Sequence, residues 1–155
     1  MANFAGFCNS AKAKLLTGTY AFSPQDANTN RTVTTADTMY MALYLSSATI
    51  TFSTNTAYTA TGELIGTGYT ASGKPMTSTL VSSNGTSSFW TASSNITWTT
   101  LTASTAIDCA LMYNFTATTK ASVAVFTFSS QTVTAADFTL TMPTNDGATA
   151  LIRIV

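Results

Sequence analysis

The chain has 155 residues, a formal net charge of zero, no histidine, and 8% charged residues against 45% hydrophobic ones. Disorder combines low hydrophobicity with high net charge, so this composition belongs to a folded chain of one domain's length. Ser and Thr make up about a third of it and replace the usual charges with a neutral, hydroxyl-rich surface, which excludes the basic stripe that nucleic-acid binding requires.

The opening residues carry Phe4, Phe7, Cys8, Ala11 and Leu15 at helical spacing, with Asn9, Ser10, Lys12 and Lys14 opposite them. This predicts one short amphipathic helix over about 3–17, with the lysines suiting its C-terminal dipole and Gly18 as its cap. Neither a signal peptide nor an apolar run of the ~20 residues that cross a bilayer is expected. From 23 to 35 the composition turns to Pro, Gln, Asp, Asn and Thr without apolar periodicity, the mark of an exposed loop. The run 38–45, with Met39 through Leu45 apolar on both faces, predicts a central strand covered on both sides.

Residues 53–74 hold the densest turn chemistry, with Gly62, Gly66, Gly68 and Gly73 among Tyr58, Leu64, Ile65 and Tyr69. Short strands are then expected over 76–82, 87–91, 95–100, 105–113, 121–128, 136–142 and 149–154, with Asn84-Gly85 as a hairpin turn. Alternation is clearest late, where Val123, Val125 and Thr127 oppose Ala124, Phe126 and Phe128, and Phe138, Leu140 and Met142 alternate with threonines. Short strands at such spacing predict an all-β fold, an antiparallel β-sandwich or jelly-roll-like barrel with one N-terminal helix, forming a single domain over 1–155.

The lack of histidine removes the commonest general base and the usual activator of Ser and Cys nucleophiles. Six carboxylates remain, Asp26, Asp37, Glu63, Asp108, Asp137 and Asp146, and a glycosidase needs only two of them in one cleft. Asp26, Asn28, Asn30 and Asp37 occupy the first, third, fifth and twelfth places of a calcium-loop pattern. Arg31 stands where that loop needs Gly, and Asp where it needs a bidentate Glu, so a polar surface loop is the plainer reading and no metal is expected. The Gly62–Gly73 stretch lacks the strand-to-helix context of a phosphate loop and reads as tight turns.

Asp108 lies within the apolar run Ala106–Leu111 and reads as an outward-facing strand residue, with an inward one as the alternative. Cys8 and Cys109 are far apart in sequence and read as buried free thiols. Trp90, Trp98, Phe89 and Tyr69 suit either a core or an aromatic sugar platform, with core or protein interface favoured. The sequons at Asn30, Asn84, Asn95 and Asn114 are close to the number that chance gives in so Thr-rich a chain.

The order of these features carries a resemblance. Lys14-Leu15-Leu16 with Gly18 is followed by a strand with Leu43, by Gly62-Glu63, and by Gly66-Thr67-Gly68-Tyr69-Thr70 with Gly73. Then come Trp98-Thr99, Ala110-Leu111-Met112-Tyr113 and Ala124-Val125-Phe126-Thr127-Phe128. The chain thereby resembles a family of small virion structural proteins of tailed bacteriophages, over nearly its whole length, with Gly62-Glu63 through Gly73 as the most specific element. Asp108 and Cys109 depart from the basic and small residues expected there, and the 23–35 loop is longer than usual. The resemblance implies no catalysis and no cofactor. It leaves open whether the chain decorates the head or belongs to the neck or tail; the first expectation is a capsid decoration or cement protein whose partners are the major capsid protein or other virion subunits, in a homo-oligomer or symmetric array, with neither nucleic acid nor membrane as partner. A neck, tail or fibre component is the alternative, and a secreted adhesin or carbohydrate-binding domain is the reading from another class.

Overall fold

The computed structural model describes residues 3–17, 20–22, 35–77 and 81–155. In chain order the elements are β1 (Gly6–Phe7), α1 (Asn9–Leu16), β2 (Met39–Leu45), β3 (Lys74–Pro75), β4 (Ser82–Ser83), β5 (Ser88–Trp90), β6 (Ile96–Asn114), β7 (Ser122–Leu140) and β8 (Ile152–Ile154). They form an all-β sandwich of two antiparallel sheets, one of five strands in the order β1-β7-β6-β2-β3 and one of three in the order β4-β5-β8. One apolar cluster joins the two, with Trp90 and Ile152 from the small sheet among Met39, Leu43, Leu111 and Val123 from the large one. Each such side chain, fully buried, stabilises the fold by roughly 1.5–3 kcal/mol.

The frame of the large sheet is the β6–β7 hairpin. Near its closed end Cys109↔Thr127 to Met112↔Ala124 run in unbroken register, with one shift between Met112 and Tyr113 beside the turn. There Val123, Ala124 and Val125 are all buried, so both faces are covered where alternation predicted one. β2 pairs with this end of β6, from Met39↔Asn114 to Leu45↔Ile107, and is the doubly covered strand that its apolar run predicts.

Toward its open end the hairpin shifts register four times between Trp98 and Cys109. The sequence predicts separate strands over 95–100 and 105–113, and over 121–128 and 136–142; each pair is one continuous strand. The polar residues between them are bulges rather than loops. Two bulge residues hold left-handed backbone, Thr100 (φ 48) and Ala135 (φ 47), and side chains hold both in place. The Asp137 carboxylate accepts the Thr100 N–H at 3.0 Å, and Thr102 Oγ1 accepts the Ala135 N–H at 3.1 Å.

The expected helix over 3–17 is α1 at Asn9–Leu16, because the residues before it pair as strands. Gly6 and Phe7 lie on Val125 and Ala124 of β7, and Phe4 bridges Thr51. Gly6 leaves no room for a side chain, since a Cβ there would sit 2.6 Å from the Phe52 ring. Edge pairing thus outweighs the helical period. Gly18 lies outside the described residues, as does 23–34 of the expected loop.

Smaller differences follow from edges. Of the strand expected over 76–82, residues 78–80 lie outside the described residues; Met76, Thr77 and Val81 are not in a strand, while Lys74–Pro75 pairs with β2 and Ser82–Ser83 with β5, with Pro75 in an edge strand, where its missing N–H is tolerated. The strands expected over 87–91 and 149–154 shorten to Ser88–Trp90 and Ile152–Ile154. The hairpin at Asn84-Gly85 forms as its turn chemistry predicts, with Ser83↔Ser88 closing it and Gly85 at φ +83.

Candidate functional site

The polar side chains of greatest chemical interest converge under the glycine loop. Gly62–Leu64 runs along the outer edge of β2, with the Leu45 N–H donating to Gly62 O at 2.9 Å and the Leu64 N–H to Leu43 O at 2.9 Å. The chain then crosses onto β6 beyond the end of β2, where Thr67 O accepts the Thr102 N–H at 2.9 Å. Gly68 (φ +78) and Gly73 (φ +75) need glycine twice over: their backbone is left-handed, and a Cβ would lie 2.6 Å from Thr99 O at Gly68 and 2.0 Å from Met41 O at Gly73. Gly66 meets Thr102 O in the same way. The glycine spacing of the sequence is therefore a record of close approach to strand backbone.

This path turns the Glu63 side chain inward, leaving it only 5% exposed. Its Oε2 accepts the Tyr58 hydroxyl at 2.5 Å, and its Oε1 accepts the Tyr69 hydroxyl at 2.7 Å and the Ser72 N–H at 2.8 Å. All three donors are neutral, so the buried charge is stabilised by charge-assisted hydrogen bonds. The network extends outward: Tyr69 Oη accepts the Leu43 N–H at 3.0 Å, Tyr113 Oη donates to Ser72 O at 2.8 Å, and Tyr44 Oη donates to Thr59 O at 2.6 Å. Ser72, itself left-handed at φ 78, is gripped through both its N–H and its C=O.

Burial first, and the Glu63 carboxylate after it, raise the Tyr58, Tyr69 and Tyr44 phenols above their ordinary range. These hydroxyls are proton donors that hold their protons. The carboxylate has both oxygens engaged, so the arrangement acts as a clasp: it fixes the loop and the phenols relative to β2 and β6.

The other predicted residues do not join it. Asp37 accepts the Ala21 N–H at 2.9 Å and the Asn114 amide at 2.8 Å, a structural role; Asp26, Asn28 and Asn30 lie outside the described residues. Among the described residues no group of three His, Cys, Asp or Glu side chains is placed to hold a metal ion. Asp108 is half-buried, and its Oδ1 accepts the Asn3 amide at 2.6 Å while Asn3 Oδ1 accepts the Ile50 N–H. It therefore ties the N-terminal segment to β6. Asp137 holds the Thr100 bulge, and Asp146 caps its own turn through Ala148 and Thr149.

Cys8 and Cys109 are buried free thiols, pushed up by burial to about 11 and about 12. Such thiols stay protonated and are poor nucleophiles near neutral pH. Trp90, Trp98 and Phe89 are buried; Trp98 lies near Tyr69 and Phe138, with ring centroids 6.2 and 6.1 Å away. These rings pack the core.

Sequence reasoning named Gly62, Glu63, Gly66, Gly68, Tyr69 and Gly73 as one turn, and the structure brings them together. It did not find the parts played by Tyr58, Ser72, Tyr44 and Tyr113. The available signal was a lone Glu among tyrosines in a stretch with few other charges. Comparisons with protein-family models, with curated proteins and with solved structures return no match.

Proposed function

We propose that this chain is a virion structural protein of a tailed bacteriophage, a capsid decoration or cement subunit that bridges neighbouring major capsid subunits and works without catalysis or cofactor. The observation that carries the reading is the Glu63 clasp. The segment in which the resemblance to phage virion proteins is most specific is a mount, with its polar groups bonded to one another, and it leaves Ile65 92% exposed at its apex. A residue set built to hold a loop rigid suits a protein that works by presenting a surface. Neutral, hydroxyl-rich surfaces also let many copies pack without charge repulsion, and symmetric repetition sums modest contacts into a stable shell.

A neck, tail or fibre position is the second reading. A sugar-binding adhesin draws no support from Trp90 and Trp98, whose rings are covered. The test is a reconstruction of purified particles together with mass spectrometry of their proteins. This chain is expected in many copies over the capsid lattice; its absence from intact particles sinks the reading, and a single ring of copies at the vertex transfers it to the neck or tail.

A further inference from the structure

Asn84 and Gly85 sit exposed in the turn between β4 and β5, where a nucleophile and an electrophile are placed side by side. The nucleophile is the Gly85 amide nitrogen. Among the described residues its N–H has no acceptor, and Gly85 brings no side chain to block an approach: its backbone is left-handed at φ +83, and open space lies where a Cβ would stand. The electrophile is the Asn84 side-chain carbonyl. Its Oδ1 accepts the Thr86 N–H at 3.3 Å, the Ser87 N–H at 3.0 Å, and the hydroxyls of Thr86 and Ser87 at 3.1 Å each. An oxygen that reaches the amides two and three residues on folds its side chain forward over the 84–85 peptide, which carries Cγ toward the Gly85 nitrogen. Asn84 is held there from two further sides. Its N–H donates to Ser87 O at 3.1 Å, and its Nδ2 lies so close to Gly147 that a Cβ there would collide with it.

We propose that Asn84 is a site of self-modification, at which the Gly85 nitrogen displaces the side-chain amide as ammonia and the folded turn accelerates the displacement. The bond that forms joins Gly85 N to Asn84 Cγ, and the bond that breaks is Cγ–Nδ2. Water takes the proton from the Gly85 nitrogen, and the departing amide takes one from water to leave as ammonia. The product is a five-membered cyclic imide. A second water opens it at either carbonyl, to aspartate or to the β-linked isomer, with no change of oxidation state at any atom. In the tetrahedral intermediate the negative charge resides on Oδ1, where four donors already stand, and prealigned donors stabilise that charge more than they stabilise the neutral carbonyl. An unfolded chain has to find the same approach by chance and meets only water as donor. The two products differ in what they do to the fold. Aspartate keeps the four hydrogen bonds and strengthens them, while giving a chain of zero net charge one negative charge. The β-linked isomer adds an atom to the main chain beside the Ser83↔Ser88 pair and spoils the turn.

The test compares the full chain folded in mildly alkaline buffer with the same chain unfolded in concentrated urea at the same pH and temperature. Mass spectrometry of the peptide that holds Asn84 follows the gain of one mass unit as amide becomes acid, and enzymatic methylation of β-linked aspartate follows the isomer. The folded chain should convert at least about threefold faster than the unfolded one. Thr86→Val with Ser87→Ala removes both hydroxyl donors from Oδ1 and leaves both N–H donors, so the double variant should lose most of that excess while its unfolded rate stays that of the wild type. Circular dichroism checks that it folds. If it does not, Thr86→Val alone, at an exposed position, must slow the folded chain and leave the unfolded chain unchanged, or the proposal fails. A folded chain that converts no faster than the unfolded one overturns the proposal, and so does an excess that survives the loss of the hydroxyls.

Discussion

The two edges of the large sheet solve the same problem in opposite ways. On the β2 side an edge is closed by chain that lies on it: glycines admit the backbone to van der Waals contact with Met41, Thr99 and Thr102 carbonyls, and the Glu63 carboxylate pins the loop through two phenols and an amide. On the β7 side only Gly6–Phe7 pairs with a strand of 19 residues. From Phe126 to Leu140 no described strand covers the outer edge. That edge carries Thr, Ser and Gln, with bulges that break the regular template another chain would need. Closure by close contact depends on a few irreplaceable residues, whereas closure by hydroxyls and bulges spreads over many replaceable ones. Substitutions should therefore be severe on one side and mild on the other.

The largest effect is expected at Gly73. A Cβ 2.0 Å from Met41 O on left-handed backbone forces β2 and the loop apart, and Gly73→Ala should cost at least about 3 kcal/mol by urea denaturation. A cost under about 1 kcal/mol would show that the loop is not seated on β2. Next comes Glu63→Gln, whose amide nitrogen cannot accept from a phenol or N–H; the unsatisfied donors should cost about 2–3 kcal/mol. A neutral result there would remove the clasp from the account.

Alkaline pH probes the same side and the buried thiols. Cys8 rises from an ordinary 9.0 to about 11, Cys109 from 9.0 to about 12 and Tyr20 from 10.0 to about 12, and the phenols around Glu63 are raised too. These acids hold their protons more tightly when folded, so their contribution to stability is complete below about pH 9 and is lost as pH climbs from 9 to 12. The urea midpoint should fall through that window, and alkylation of either thiol at pH 8 should wait for unfolding. A midpoint that holds steady or rises would contradict the burial of these groups.

On the open side the effects shrink. Asp137→Ala removes the acceptor for Thr100 N–H at an exposed bulge and should cost about 1 kcal/mol. Ala135→Gly relieves left-handed backbone at an exposed position and should leave stability unchanged or raise it by about 0.5 kcal/mol. A loss above about 2 kcal/mol at either site would mean that the bulged end is as tightly determined as the glycine loop.

Much of this was legible in residue order because it depends on local chemistry. Met39–Leu45 is apolar on both faces and is doubly covered; Asn84-Gly85 makes its hairpin; Gly62 through Gly73 fold as one turn. Less legible was anything decided by a distant partner. Phe4, Phe7 and Cys8 have helical spacing, yet the pairing of Gly6–Phe7 with β7 claims them for an edge. Thr99, Thr100, Ser104 and Thr105 look like an interruption, yet β7 continues opposite them, and Asp137 supplies the hydrogen bond that makes a bulge cheaper than a break. Tyr58 and Ser72 gave no sign of meeting Glu63, because only the return of the loop onto β2 sets their distances.

By itself the sequence determined a neutral, all-β chain with one short helix, an apolar strand covered on both faces and a glycine-rich turn, since composition, period and turn chemistry act within a few residues. Tertiary structure alone decided that two pairs of predicted strands are single strands, that Glu63 is a buried clasp, and that Ile65 stands exposed beside it. Each of these depends on which backbones approach one another across the fold, and spacing along the chain carries no measure of that approach.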